Sequence, residues 1–157
     1  MSKKSFAIFA ILALTALPAL AKPDFTGDWK LNTSKSTFGD VPGPDSMTIK
    51  IAHAEPKLDT VSKQSGQMGE IEMKGSYTTD GKECTNEGFQ GSPIKSTVKW
   101  DGDKLALESK GQFGDMDFTL TQKWTLSDDG KTLTVAQHIA MQMGEFDQTL
   151  VFEKRCV

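Results

Sequence analysis

The chain has 157 residues, 37% of them hydrophobic, which is material for one packed core and not for two. Its 18 basic side chains are outnumbered by 21 acidic ones, for a formal net charge of −3, and the signs are interspersed along the sequence. Such a surface excludes a nucleic-acid partner held by bulk charge, because neutralising phosphates requires a basic face.

Lys3 and Lys4 precede the uncharged run FAIFAILALTALPALA, which closes on Ala19-Leu20-Ala21, the small-x-small pattern that a signal peptidase accepts. Residues 1–21 are therefore expected to be a cleaved signal peptide, and residues 22–157 a single mature domain exported to the periplasm or the extracellular space. The apolar run is shorter than the about 20 residues that a spanning helix needs, and no later segment approaches that length, so no membrane span is expected. No cysteine follows the leader directly, which leaves a lipid anchor without its attachment residue. The mature domain keeps 16 basic residues (18 less the two leader lysines) against 21 acidic ones, a net charge of −5.

The first mature element is FTGDWKLN, where Phe25, Gly27, Trp29 and Leu31 share one strand face and Trp29 turns inward. The Pro/Gly-rich TSKSTFGDVPGPD that follows reads as a crossing with one short helical turn capped by Ser34. From there turn words recur about every ten residues: AEPK, QMGE, TDGK, QGSP, WDGDK, FGDM, SDDGK and QMGE again. Between them one face stays apolar. Met47, Ile49 and Ile51 make one such set, followed by Ile71, Met73 and Tyr77, by Ile94, Val98 and Trp100, and by Leu105, Leu107 and Phe113. Phe118, Leu120, Trp124 and Leu126 come next, then Leu133, Val135, Ile139 and Met141, then Phe146, Leu150 and Phe152. KECTNEG, Lys82 to Gly88, has no apolar face and reads as an edge strand or a loop.

The expected fold is all-β, an antiparallel up-and-down β-barrel of eight to ten strands; the alternative is a two-sheet sandwich, but consecutive short hairpins favour the meander. The paired words TTDGKECT and SDDGKTLT, like the two QMGE stretches, read as reused hairpin turns rather than a duplication. Cys84 and Cys156 are the only cysteines, and export would place them where disulfides persist. A bridge would close a loop of roughly 70 residues and be worth about 4 kcal/mol in the chain-entropy model. The alternative is two free thiols.

The Gly27-x-Trp29 of the first strand resembles the signature of the calycin barrels, the lipocalins and fatty-acid-binding proteins. With DFTGDWKLNTSKSTFG, YTTDGKE, KWDGD and WTLSDDGKTLTV in order, nearly the whole mature chain is similar to the small exported lipocalin-like proteins of bacteria. The resemblance implies a lipocalin-like barrel in which a basic side chain from near the last strand stacks on Trp29 and closes the floor. Arg155 is the candidate for that pair and Lys154 its rival, since alternation puts Lys154 on the Phe152 face and Arg155 opposite. The lid of two helices found in fatty-acid-binding proteins has no counterpart here. FEKRCV also lacks the Arg-x-Tyr that holds a fatty-acid carboxylate in that family, so a carboxylate ligand is not inherited.

Alternation also turns His53, Ser62, Gln64, Tyr77, Gln122, Gln137 and Gln148 inward. Burying such groups without partners costs about 1–3 kcal/mol each, so they bond one another, hold water or orient a guest. The candidate lumen residues are Trp29, His53, Tyr77, Trp100, Gln122, Trp124, Gln137, Gln148 and Phe152. Met141 and Met143, with His138 nearby, raise thioether ligation of Cu(I). His138 projects opposite Met141, however, and Met47, Met73 and Met141 occupy core positions, so no metal site is assigned and no cofactor is expected. Neither a nucleophile beside a base nor two carboxylates in one cleft is apparent, so no enzymatic activity is expected. The favoured reading is a monomeric, exported, non-catalytic binding protein for a small, largely apolar molecule in a β-barrel lumen. The alternatives are an envelope interaction or structural module with a solid barrel, docking a partner strand at the KECTNEG edge, and a copper-binding protein using methionines.

Overall fold

The computed structural model describes residues 21–156, so the expected signal peptide lies outside the described residues except for Ala21. Ten antiparallel strands form one sheet: β1 (Gly27–Leu31), β2 (Ser46–Ala54), β3 (Lys57–Gly66), β4 (Gly69–Thr78), β5 (Cys84–Glu87), β6 (Pro93–Asp101), β7 (Lys104–Phe113), β8 (Met116–Leu126), β9 (Thr132–Met141) and β10 (Gly144–Lys154). Every strand pairs with its neighbour in sequence except β4 with β5, and β1 also pairs with β10. The meander therefore closes into a barrel with a single seam, between β4 and β5. The described residues contain no α-helix, and only a three-residue 3-10 turn at Phe89–Gly91 interrupts the strands.

The seam is stitched chiefly by Asn86, with a longer contact of 3.8 Å between the Thr78 hydroxyl and the Cys84 thiol. Asn86 of β5 accepts from the Ser76 backbone N–H at 2.8 Å and donates to the Ser76 carbonyl at 3.2 Å, so its amide takes the place of a peptide in the missing ladder. KECTNEG thus holds a short edge strand, one of the two expectations, edge strand or loop, for a segment without an apolar face.

Tight hairpins alternate between the two ends of the barrel. One end carries the β2–β3, β6–β7 and β8–β9 turns and both ends of the described chain. The other carries the β1–β2 crossing, the β3–β4, β7–β8 and β9–β10 turns and the 3-10 turn. Gly114 and Gly102, at φ 63° and 64°, supply the left-handed backbone that two of these turns require. The crossing does not form the helical turn expected at Ser34. Asn32 Oδ1 instead accepts from Ser34 Oγ at 2.7 Å and from the Lys35 N–H at 3.1 Å, and Thr37 then pairs with Thr149 of β10 as an isolated bridge.

The expected Cys84–Cys156 bridge is absent; both thiols are free. Cys84 opens β5 and Cys156 follows β10, and these strands are five steps apart whichever way the ring is followed. Neighbouring strands are about 4.8 Å apart, so the two cysteines stand on opposite walls, beyond the about 7 Å between Cα atoms that a bridge tolerates.

The core is not centred. Phe25, Trp29, Ile51, Leu58, Val98, Leu105, Leu133, Val135 and Phe152 are all nearly or fully buried and pack the end where the described chain begins. The opposite half of the barrel is left unfilled.

Candidate functional site

At the packed end, the Gly27-x-Trp29 pattern of β1 builds the floor of the barrel. Trp29 is fully buried, donates its indole N–H to the Phe25 carbonyl at 3.0 Å, and lies opposite Lys154 in the β1–β10 register. The Lys154 ammonium sits 5.5 Å from the Trp29 ring centre. A Cβ on Gly27 would come within 2.7 Å of Lys154 Cε, and Gly27 itself stands at φ 155°. The glycine therefore clears the path along which the lysine stem reaches the ring. The floor pair is Trp29–Lys154 and not Trp29–Arg155. Strand parity carries Lys154 to the Phe152 face without a bulge, while Arg155 is exposed and spends its backbone N–H on the Asp28 carbonyl at 2.8 Å.

His53 and Trp100 point inward as expected but lie at this packed end, outside the cavity. Both rings pack on Phe25, with centroids 5.9 and 6.2 Å from it. His53 Nδ1 accepts from the Phe25 N–H at 3.2 Å, which leaves the ring proton on Nε2, 2.6 Å from Glu55 Oε1. The same carboxylate accepts from the Trp100 indole at 3.0 Å and from the Thr79 hydroxyl at 2.7 Å. Burial pushes the Glu55 carboxyl up, but the hydrogen bonds from Thr79, His53 and Trp100 outweigh it and hold the group below its usual range. These groups plug the barrel. Parity along β2 and β6 says which way the side chains point but not how far along the axis the filled core extends.

The unfilled half is a cavity of about 400 Å³. Of the candidate lumen residues, Tyr77, Gln122, Trp124, Gln137, Gln148 and Phe152 line it. Its walls are mainly apolar, with Ile71, Leu107, Phe118, Leu120, Ile139 and Leu150 among them. Met47 and Met141 also face it, whereas Met143 sits on the β9–β10 turn and is 75% exposed. His138 faces outward against Asp147 at 2.7 Å. Met141 thus faces inward and His138 outward from the same strand, and Met143 stands on the turn beyond it. Phe89 and Phe113 stack at 4.6 Å between centroids in the cavity lining, which also takes in Phe38 from the crossing. Burial raises the Tyr77 phenol above its usual value, so it stays protonated through neutral pH.

Three glutamines that line the cavity are joined in one hydrogen-bonded chain. Trp124 Nε1–H donates to Gln122 Oε1 at 3.0 Å, Gln122 Nε2 to Gln137 Oε1 at 2.8 Å, Gln137 Nε2 to Gln148 Oε1 at 2.6 Å, and Gln148 Nε2 to the Phe38 carbonyl at 3.2 Å. The three glutamines are direct register partners across β8, β9 and β10. Ser96 and Ser109, buried and 2.6 Å apart, satisfy each other on the neighbouring wall.

No family model matches the chain, and no curated protein matches it in sequence. Its backbone is similar to that of a zebrafish ileal bile acid-binding protein complexed with cholic acid, with 16% identity and a TM-score of 0.56 over 83% of this chain and 98% of that one. It is similar to the fatty acid transporter REP1-NXSQ, with 14% identity and a TM-score of 0.54 over 85% of this chain and 97% of that one. A secretory abundant heat soluble protein from Ramazzottius varieornatus is similar with 12% identity and a TM-score of 0.57, over 83% and 94% of the two chains. The fold is the calycin-type β-barrel.

Within this barrel, reasoning from sequence missed Glu55, Asn86 and the Phe38 carbonyl. Glu55 and Asn86 sit at a turn and on a strand without an apolar face, where alternation gives no signal. The glutamine ladder had a usable one: the turns SDDGK and QMGE, once each hairpin register is set, bring residues 122, 137 and 148 side by side.

Proposed function

We propose that this protein is an exported, non-catalytic carrier for a small, largely apolar molecule held in the barrel cavity. One observation carries the reading: a barrel of this size has packed one half with Phe25, Trp29, Phe152 and their neighbours and left about 400 Å³ in the other half, walled by hydrocarbon with a few convergent polar groups. Burying apolar surface is the main driving force of folding, so an unfilled apolar half is a cost that a guest removes. Enclosed apolar walls with few polar groups are the usual build of a small-molecule site. The cavity weighs against a solid barrel that serves only as an interaction module. Solved barrels of the same fold are described as a bile acid-binding protein complexed with cholic acid and as a fatty acid transporter, which supports the same class of role. Export rests on the leader, Lys3 to Ala21.

The test is native mass spectrometry of the protein recovered from its producing cells, with titration by a neutral apolar fluorophore. A retained guest, or saturable binding that blue-shifts Trp124 emission, is expected. A guest-free protein that binds none of a broad panel of apolar probes overturns the carrier role. Edman or mass analysis of the same sample reports cleavage after Ala21.

A further inference from the structure

We propose that the guest carries an uncharged polar head that both donates and accepts hydrogen bonds, a hydroxyl or a carboxamide, and that this head seats on the Gln122–Gln137–Gln148 ladder. This rests on the carrier reading above and adds the chemical class of the ligand.

The ladder has a fixed polarity. An indole N–H can only donate, so Trp124 forces Gln122 to present its oxygen; a backbone carbonyl can only accept, so Phe38 forces Gln148 to present its nitrogen. Gln137 between them has no freedom to flip, because each neighbour has already committed. Each amide has two N–H groups and two lone pairs, and the chain uses one of each. What remains along the row, whose three glutamines line the cavity, is one spare donor and one spare acceptor per residue. A hydroxyl matches it, accepting from a spare Nε2–H and donating to the oxygen of the same ladder. A carboxamide matches it equally.

A carboxylate does not. It only accepts, so one of its oxygens faces glutamine lone pairs, and its charge is taken out of water without a compensating cation. Among the described residues that line the cavity, the charged ones are Lys74 and Glu87. These are opposite in sign, and the Lys74 side chain is 76% exposed and lies 3.7 Å from Glu72. The charged lining residues thus include one cation, Lys74, and it is paired at the solvent-facing side with Glu72. The remaining polar lining, such as Tyr77, Ser109 and Gln64, is neutral.

The experiment displaces N-phenyl-1-naphthylamine, a neutral probe, from the purified protein with decan-1-ol, decanamide or sodium decanoate at mildly alkaline pH. The alcohol and the amide are expected to compete at concentrations lower by about tenfold or more than decanoate. Acidification through the fatty acid's own titration, which makes it a neutral donor and acceptor, brings it to parity. In Gln137→Leu the alcohol weakens by about tenfold while decane, which has no head, does not. Gln148→Met, at the end of the row, serves the same purpose should the first variant not fold. Decanoate binding as tightly as the alcohol at alkaline pH overturns the head-group assignment and leaves the carrier role standing. Failure of the probe and of all three decyl compounds to bind overturns the carrier role, and the assignment with it.

Discussion

Removing the amide of Asn86 should open the barrel along one line only. In Asn86→Ala both hydrogen bonds to Ser76 are lost, and no ladder pairing stands behind them, because β4 and β5 are the two edges of the sheet. Two hydrogen bonds at about 0.5–1.5 kcal/mol each bound the loss at about 1–3 kcal/mol. Ser76 is an exposed residue, so water recovers part of its hydrogen bonding, and the expected destabilisation is about 1–1.5 kcal/mol. Urea unfolding followed by Trp emission measures the global term, and amide hydrogen exchange measures the local one. Exchange at Ser76 should accelerate by about tenfold, while amides in the β8–β9 ladder keep their protection apart from the shared global loss. Asn86→Asp is the control. It keeps an acceptor for the Ser76 N–H but sets a carboxylate against the Ser76 carbonyl, and should not restore the wild-type midpoint. If Asn86→Ala leaves both the urea midpoint and the Ser76 exchange rate unchanged, the seam is closed by something other than this side chain and the reasoning fails.

At the floor, Gly27→Ala is expected to cost about 1–2 kcal/mol, from a strained φ and a displaced lysine stem, and Lys154→Met about 0.5–1 kcal/mol, since it keeps the hydrocarbon over Trp29 and loses only the cation; thermal melts of both variants decide this. Because the Glu55 carboxyl is held below its usual value in the folded state, its contribution is fully present above the ordinary carboxylate range and is lost as pH falls through the lowered value. Glu55→Gln should therefore flatten part of the acid limb of stability against pH and leave the alkaline limb alone; an unchanged acid limb refutes the assignment. His138 shifts the other way. The Asp147 hydrogen bond raises it, so its contribution is present at low pH and fades as pH rises through the raised value, and His138→Asn should remove that slope. With both thiols free, alkylation of the unreduced protein should label Cys156 quickly and Cys84 more slowly, and reductant should not move the melting temperature; a mass lower by two hydrogens with no labelling contradicts the fold described above.

Side-chain alternation and turn chemistry, both local properties of the sequence, were enough to settle the class of this fold. Inward sets such as Leu133 with Val135, and glycines in FGDM and WDGDK that tolerate left-handed backbone, specify hairpins without reference to anything distant. A period of two also says which side chains face inward, which is why Gln122, Gln137 and Gln148 were legible as interior groups. Position along the barrel axis was not, because parity is blind to depth. His53 and Trp100 obey the same alternation as Gln137, yet they are packed around Phe25 while Gln137 faces the cavity.

Only closure of the ring decided the rest. It put Lys154 rather than Arg155 over Trp29, through a β1–β10 register between residues at opposite ends of the chain. It placed Cys84 and Cys156 on opposite walls, and it left Ser76 and Asn86 as the sole side-chain-to-backbone stitch between β4 and β5 among the described residues. It also brought the Phe38 carbonyl to the end of the glutamine row, which fixes the direction of every hydrogen bond in it. The physical reason is common to all of these. Local sequence sets conformation residue by residue, whereas contacts between remote segments depend on strand count, stagger and curvature acting together, and none of those is a property of any single stretch.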